Sequence, residues 1–170
     1  APVLQAALEG ATSLLLFPTK ALAHDQLRRL RAMAQVLGVE GVFPYDGDTP
    51  SATRRQARER GLVLLSNPDM LHYGLLPRHP DWAPFLARLR YVVLDELHAY
   101  RGVFGTHVAL ILRRLLRLAR HYGASPQVLA ASATIANARE HAEALTGLPF
   151  EELKAQVART ERELLVLLPK

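Results

Sequence analysis

The chain has no cysteine, which excludes disulfides, thiolate zinc sites, iron–sulfur clusters and a cysteine nucleophile within its 170 residues. No apolar run approaches the ~20 residues that span a bilayer. The opening APVLQAALEG has neither the basic flank nor the apolar stretch of a signal peptide, so a cytoplasmic protein with no membrane partner is expected. There is no internal repeat and no low-complexity tract. H-E-x-x-H is missing, and the seven histidines show no metal-ligand spacing. His24, His72, His79, His107 and His121 are therefore expected to be surface or packing residues. G-x-S-x-G is missing too, which argues against an α/β-hydrolase. His141-Ala142-Glu143 matches the H-x-E of zinc deaminases, but that chemistry also needs P-C-x-x-C.

What is present fits one globular domain, with 49% hydrophobic and 22% charged residues. Lys plus Arg number 21 against 16 Asp plus Glu, a net charge of +5. The excess is mostly arginine, whose planar fork of donors suits phosphate oxygens and a polyanionic partner. The same bias also arises from GC-rich coding or from heat adaptation.

Four short apolar runs, 13–17 (SLLLF), 62–65 (LVLL), 91–94 (YVVL) and 128–131 (VLAA), are too short for buried helices and lack alternation. Strands covered on both faces read this way. Further strands are expected at 42–45 and 164–168. Helical periodicity lies between the runs. Residues 21–37 place Leu22, Leu27, Leu30, Met33 and Leu37 on one face, and residues 108–122 repeat the pattern with Ile111, Leu112, Leu115, Leu116 and Leu118. PRHPDWAP, from Pro77 to Pro84, is expected to be a loop. Alternating strands and helices give an α/β domain on a mainly parallel sheet flanked by helices.

In such sheets ligands collect beyond the carboxyl ends of the strands. Pro18-Thr19-Lys20, Ser66-Asn67-Pro68-Asp69, Asp95-Glu96-Leu97-His98 and Ser132-Ala133-Thr134 follow the four runs and should share one crevice. Two adjacent carboxylates ending a buried strand call for a compensating cation. One reading is Mg2+ carrying phosphate, with Asp95 holding the ion through its water shell and Glu96 polarising the attacking water. The other is that Asp95 and Glu96 merely cap the next helix. On the basic side, Thr19 with Lys20, and Ser66 with Asn67, sit where a strand turns into a helix and could converge on a phosphate. Gly47 permits close backbone approach, and Thr49, Arg54 and Arg55 add further candidate contacts. A solvated helix face is preferred for Arg58 and Arg60.

YVVLDELH (91–98) followed by VLAASAT (128–134) resembles motifs II and III of the superfamily 2 DExH-box helicases, nucleic-acid-dependent ATPases. LLLFPTKALAHDQL (14–27) is similar to their motif Ia, YDGDTPSATRR (45–55) to the Ib region, and VLLSNPDMLH (63–72) to the next nucleic-acid motif. The text around DELH and SAT is most similar to the MrfA-type bacterial DNA-repair helicases, although the Lhr branch also carries a GDTP-like block. The resemblance implies a RecA-like domain, truncated at its N-terminus, using ATP and Mg2+ and acting on nucleic acid, expected to be DNA with a single-stranded segment. It makes Asp95 the magnesium-organising aspartate and Glu96 the general base. His98, Ser132 and Thr134 would link hydrolysis to the nucleic-acid path, while N-capping of the following helix is a compatible role for Ser132 and Thr134. Pro18, Thr19, Lys20, Gly47, Thr49, Arg54, Arg55, Ser66, Asn67 and Pro68 would grip the backbone.

One family element is missing from these residues. None of the ten glycines precedes a lysine, so there is no G-x-x-x-x-G-K-[ST]. Residues 1–150 are expected to be part of a first RecA-like helicase domain that starts just after its P-loop. Residues 151–170 are expected to be a connector and strand toward a second RecA-like domain. Two rivals remain: an ATP-independent module that binds nucleic acid or protein, and a metal-dependent phosphoesterase using Asp95, Glu96 and nearby histidines.

Overall fold

The computed structural model describes residues 2–132 and 137–154 and the strand 165–168. The helices are α1 (Pro2–Leu8), α2 (Lys20–Val36), α3 (Ser51–Arg60), α4 (Pro68–Met70), α5 (Ala83–Leu86), α6 (Gly102–His121) and α7 (Ala138–Thr146). The strands are β1 (Thr12–Leu16), β2 (Val42–Tyr45), β3 (Val63–Ser66), β4 (Leu89–Leu94), β5 (Gln127–Ala130), β6 (Glu151–Lys154) and β7 (Leu165–Leu168).

They form one sheet in the order β2-β3-β1-β4-β5-β7-β6. The first five strands are parallel. β6 and β7 pair antiparallel at one edge, with Leu167 opposite Ala130 of β5. Strand β6 thus lies in the stretch expected to be a connector. Residue 164, expected to open the last strand, lies outside the described residues.

Alternation along the strands sorts side chains to two covered faces. Leu14 and Leu16 of β1 join Leu64, Val92, Leu94 and Val128 beneath α6 and α7, while Leu15 and Phe17 join Val42, Val63 and Leu65 beneath α1 and α2. With both faces covered, the strands read as continuous apolar runs. On α2 the buried residues are Ala23, Leu27, Leu30 and Ala34. Met33 and Leu37, expected in the core, are about half exposed, at 47% and 48%. Two alanines let α2 approach the sheet closely, so its contact stripe is rotated from the one its larger residues outline.

Pro77–Pro84 is a second correction. It is no open loop: a π-helical turn (Leu71–Leu75) runs into a 3-10 segment (Leu76–Trp82), broken at Arg78, and then into α5. Trp82 is 1% exposed and meets Tyr45 edge-on, with ring centroids 4.8 Å apart. Pro77 and Pro84 sit where early helical turns tolerate them, whereas Pro80 lies inside the 3-10 segment, two residues after its break at Arg78. No helix among the described residues is long and apolar enough to cross a membrane.

Candidate functional site

The strand registers set the site. Tyr45 pairs with Ser66, Ser66 with Leu16, Leu16 with Leu94 and Leu94 with Ala130. The carboxyl ends of all five parallel strands are therefore level, and the polar turns that follow them share one rim.

At its centre, the Asp95 amide donates to the Leu16 carbonyl at 2.9 Å. Burial pushes the Asp95 carboxyl above its ordinary range against the opposing hydrogen bond from the Glu96 amide, and the neighbouring Glu96 charge adds to the rise. Among the described residues no Lys or Arg forms an ion pair with Asp95. A half-buried carboxylate pressed toward its neutral form is suited to a cation. Yet no group of three or more His, Asp or Glu among the described residues could cage a metal ion. The donor set therefore fits Mg2+ held through water and substrate phosphates rather than a dedicated protein cage.

Glu96 adopts the left-handed conformation (φ 50°), the only non-glycine described with positive φ. Such a backbone costs roughly 1–2 kcal/mol and breaks the strand sharply, turning the chain into the short 3-10 turn Leu97–Ala99. The Leu97 amide donates to the Ala131 carbonyl at 2.9 Å, tying this turn to the end of β5. His98 Nδ1 then lies 3.3 Å from Glu96 Oε2 and 3.4 Å from Ser132 Oγ. As an N–H it donates toward the carboxylate; as a bare lone pair it accepts the serine hydroxyl. Glu96 occupies the cap position of this 3-10 turn but makes no side-chain capping bond there, and α6 begins only at Gly102, with Arg101 as its cap residue. Nor does Ser132 cap α7, whose cap residue is Asn137. Thr134 lies outside the described residues.

Thr19 caps α2, its hydroxyl accepting from the Leu22 amide at 3.4 Å, with the half-buried Pro18 before it. Lys20 Nζ pairs with Asp48 at 2.8 Å. Between β2 and α3, Asp46 organises the loop: Oδ1 accepts from the Thr49 hydroxyl and the Asp48 amide, both at 2.9 Å, and Oδ2 lies 2.8 Å from His24 Nε2. Burial opposes ionisation of Asp46, but the bonds from His24, Thr49 and the Asp48 amide outweigh it and hold its pKa below the ordinary value. Arg54 Nη2 donates to the carbonyls of Asp46 and Gly47 at 3.0 and 2.9 Å. A Cβ on Gly47 would lie 3.3 Å from Lys20 Nζ, so the close neighbour of this glycine here is a side chain of the same chain.

The Thr49 side chain is buried within this network, and the Ser66 hydroxyl donates to the Tyr45 carbonyl at 2.6 Å. Asn67 caps α4 by accepting from the Met70 amide at 2.8 Å, above the buried Pro68. These three polar side chains shape the rim from within. Lys20, Gly47 and Arg55 are exposed to solvent.

Sequence reasoning missed four members: Asp46 and Asp48 of the loop, His24 beside them, and His141, whose Nε2 lies 3.1 Å from the Leu97 carbonyl and fastens α7 to the acidic turn. Signals existed for the first three. Asp-Gly-Asp after a strand is an Asx-turn pattern, and His24 stands one helical turn from Lys20.

The family model of DEAD/DEAH box helicases matches residues 1–144. The chain belongs to this family. It is 49% identical over 152 residues to the ATP-dependent helicase YprA of Bacillus subtilis, covering 88% of this chain and 20% of that protein. It is 41% identical over 143 residues to the ATP-dependent helicase HRQ1 of Saccharomyces cerevisiae, covering 81% of this chain and 13% of the relative. Among solved structures, the DUF1998 helicase MrfA bound to DNA and AMPPNP superposes with a TM-score of 0.84 at 49% identity, covering 87% of this chain and 21% of that one. The chain thus spans a fifth or less of the length of these two relatives. The MrfA-type resemblance and the RecA-like, mainly parallel fold expected from sequence both hold.

Proposed function

We propose that this chain is part of an ATP-dependent helicase or translocase motor that moves along nucleic acid, with DNA as its substrate. The observation that carries the proposal is the level rim, which sets the Asp95–Glu96 turn beside the polar turns of β1, β2 and β3 on one sheet edge. Asp95 would hold Mg2+ through water, and the ion when bound would neutralise phosphate charge on ATP. Glu96 takes a proton from the attacking water. His98 stands between Glu96 and Ser132 and so registers the charge of that carboxylate; Thr134 belongs to the same coupling. Lys20 and Arg55 meet the phosphate backbone directly, on turns shaped by Pro18, Thr19, Gly47, Thr49, Arg54, Ser66, Asn67 and Pro68. A second RecA-like domain of the same protein completes the ATP cleft. The 170 residues alone, without a phosphate-cradling glycine loop, turn over no ATP.

In the intact protein, single-stranded DNA is expected to stimulate ATP turnover, and Lys20→Ala to weaken both DNA affinity and stimulation. Backbone contacts of this kind carry little sequence preference and weaken steeply with salt. Undiminished affinity and stimulation in Lys20→Ala would remove Lys20 from the path. Magnesium-dependent cleavage of DNA without ATP would instead favour a phosphoesterase.

A further inference from the structure

The geometry points to Asp48 as an internal stand-in for phosphate: its carboxylate occupies Lys20 when nucleic acid is absent and must be displaced when the backbone binds. The inference rests on the assignment of Lys20 to the nucleic-acid path and adds a residue that sets how tightly and how reversibly the path holds its ligand.

Lys20 Nζ and Asp48 Oδ2 are 2.8 Å apart, a full ion pair, and that contact raises the lysine pKa further. Lys20 opens α2 and Asp48 lies in the loop between β2 and α3, 28 positions apart. Chance pairing of two loose surface chains would need no support behind it, and here the support is extensive. The backbone that presents Asp48 is held on three sides. Its amide is bonded to Asp46 Oδ1, the carbonyls of Asp46 and Gly47 are held by Arg54, and Asp46 itself is bonded to Thr49 and lies against His24 on α2. Gly47 has no side chain to push the ammonium away.

The Asp48 carboxylate has no hydrogen-bond or ion-pair partner but Lys20 among the described residues. It is also 71% exposed, so it can swing aside without disturbing the loop. An arriving phosphate thus exchanges one anion for another at an unchanged lysine. The cation stays neutralised throughout, and each release of the backbone during stepping is assisted by the returning carboxylate.

Two consequences can be measured. Salt weakens the exposed Lys20–Asp48 pair together with the phosphate contact it competes with, so the two effects partly cancel and the salt dependence is shallower than for a free lysine. Removing the competitor should tighten binding by about the strength of an exposed ion pair, which is about two- to fivefold. The experiment is titration of the intact protein with a fluorescent single-stranded DNA oligonucleotide across a series of salt concentrations, for wild type, Asp48→Asn, Lys20→Ala and the double variant. Asp25→Asn, an equal charge change on the exposed face of α2, serves as control. Asp48→Asn is expected to bind about two- to fivefold tighter, with a log–log salt slope steeper by up to about 0.7, the value for one single-strand contact. In the Lys20→Ala background the same substitution is expected to change nothing beyond the Asp25→Asn control. An equal gain with and without Lys20 would reduce Asp48 to a general field effect and overturn the proposal. Weakened binding by Lys20→Ala together with an inert Asp48→Asn would overturn the displacement alone. A Lys20→Ala variant that binds as wild type would overturn the lysine contact and this proposal with it.

Discussion

Asp95, the carboxylate proposed to hold Mg2+, sits at odds with the fold that carries it. Burial, and secondarily the Glu96 charge, raise its pKa in the folded state. A raised folded pKa means that Asp95 contributes stability below the ordinary carboxylate range, and that this contribution is lost as pH rises through the elevated value. At neutral pH without Mg2+, the ionised side chain therefore weighs against the fold. Asp95→Asn is expected to melt at or above the wild-type temperature at neutral pH, with the difference closing in acid, while ATP turnover falls. Thermal melts across the pH range check this, and an Asn variant less stable than wild type at neutral pH would contradict it. The left-handed Glu96 belongs to the same class: strain held by the surrounding bonds, here from Leu97 to Ala131 and from His141 to Leu97.

At the scale of elements, the five parallel strands were legible because burial on both faces leaves an apolar run, and their parallel direction followed from the alternation with helices. The acidic turn and the turns after β1 and β3 were legible because they end such runs. Two things were not. The stripe of α2 misled because alanine, small enough for close approach, carries little signal beside Met33 and Leu37. The segment 76–86 misled because proline signals a break in hydrogen bonding, which a 3-10 turn and a first helical turn both accommodate, while the burial of Trp82 depends on Tyr45 and Phe85 from other elements. Trp82→Ala is accordingly expected to cost about 3–5 kcal/mol in chemical denaturation, as a core truncation does. A cost below about 0.5 kcal/mol, the range of surface substitutions, would return the segment to a loop. Within the site, the pairing of Lys20 with Asp48 and of His24 with Asp46 was hidden for a related reason. Sequence spacing shows which residues end strands, whereas which neighbouring turns touch follows from strand order.

Across the whole molecule, one sheet edge carries two stations. The β4 and β5 ends hold the carboxylates and the His98–Ser132 contact; the β1, β2 and β3 ends hold the lysine and its braced loop. β1 is the strand of the second station that adjoins β4, and it touches both, accepting the Asp95 amide at Leu16 and leading into Thr19 and Lys20. A shift at the acidic turn thus has a path of only one strand to the basic turns. The most direct test of a motor built on this edge is ATP turnover by Glu96→Gln in the intact protein at saturating single-stranded DNA, measured alongside nucleotide and DNA binding. Turnover is expected to fall by about 10²–10⁴-fold, the contribution of a general base, with both binding affinities retained. Turnover at the wild-type rate would contradict it.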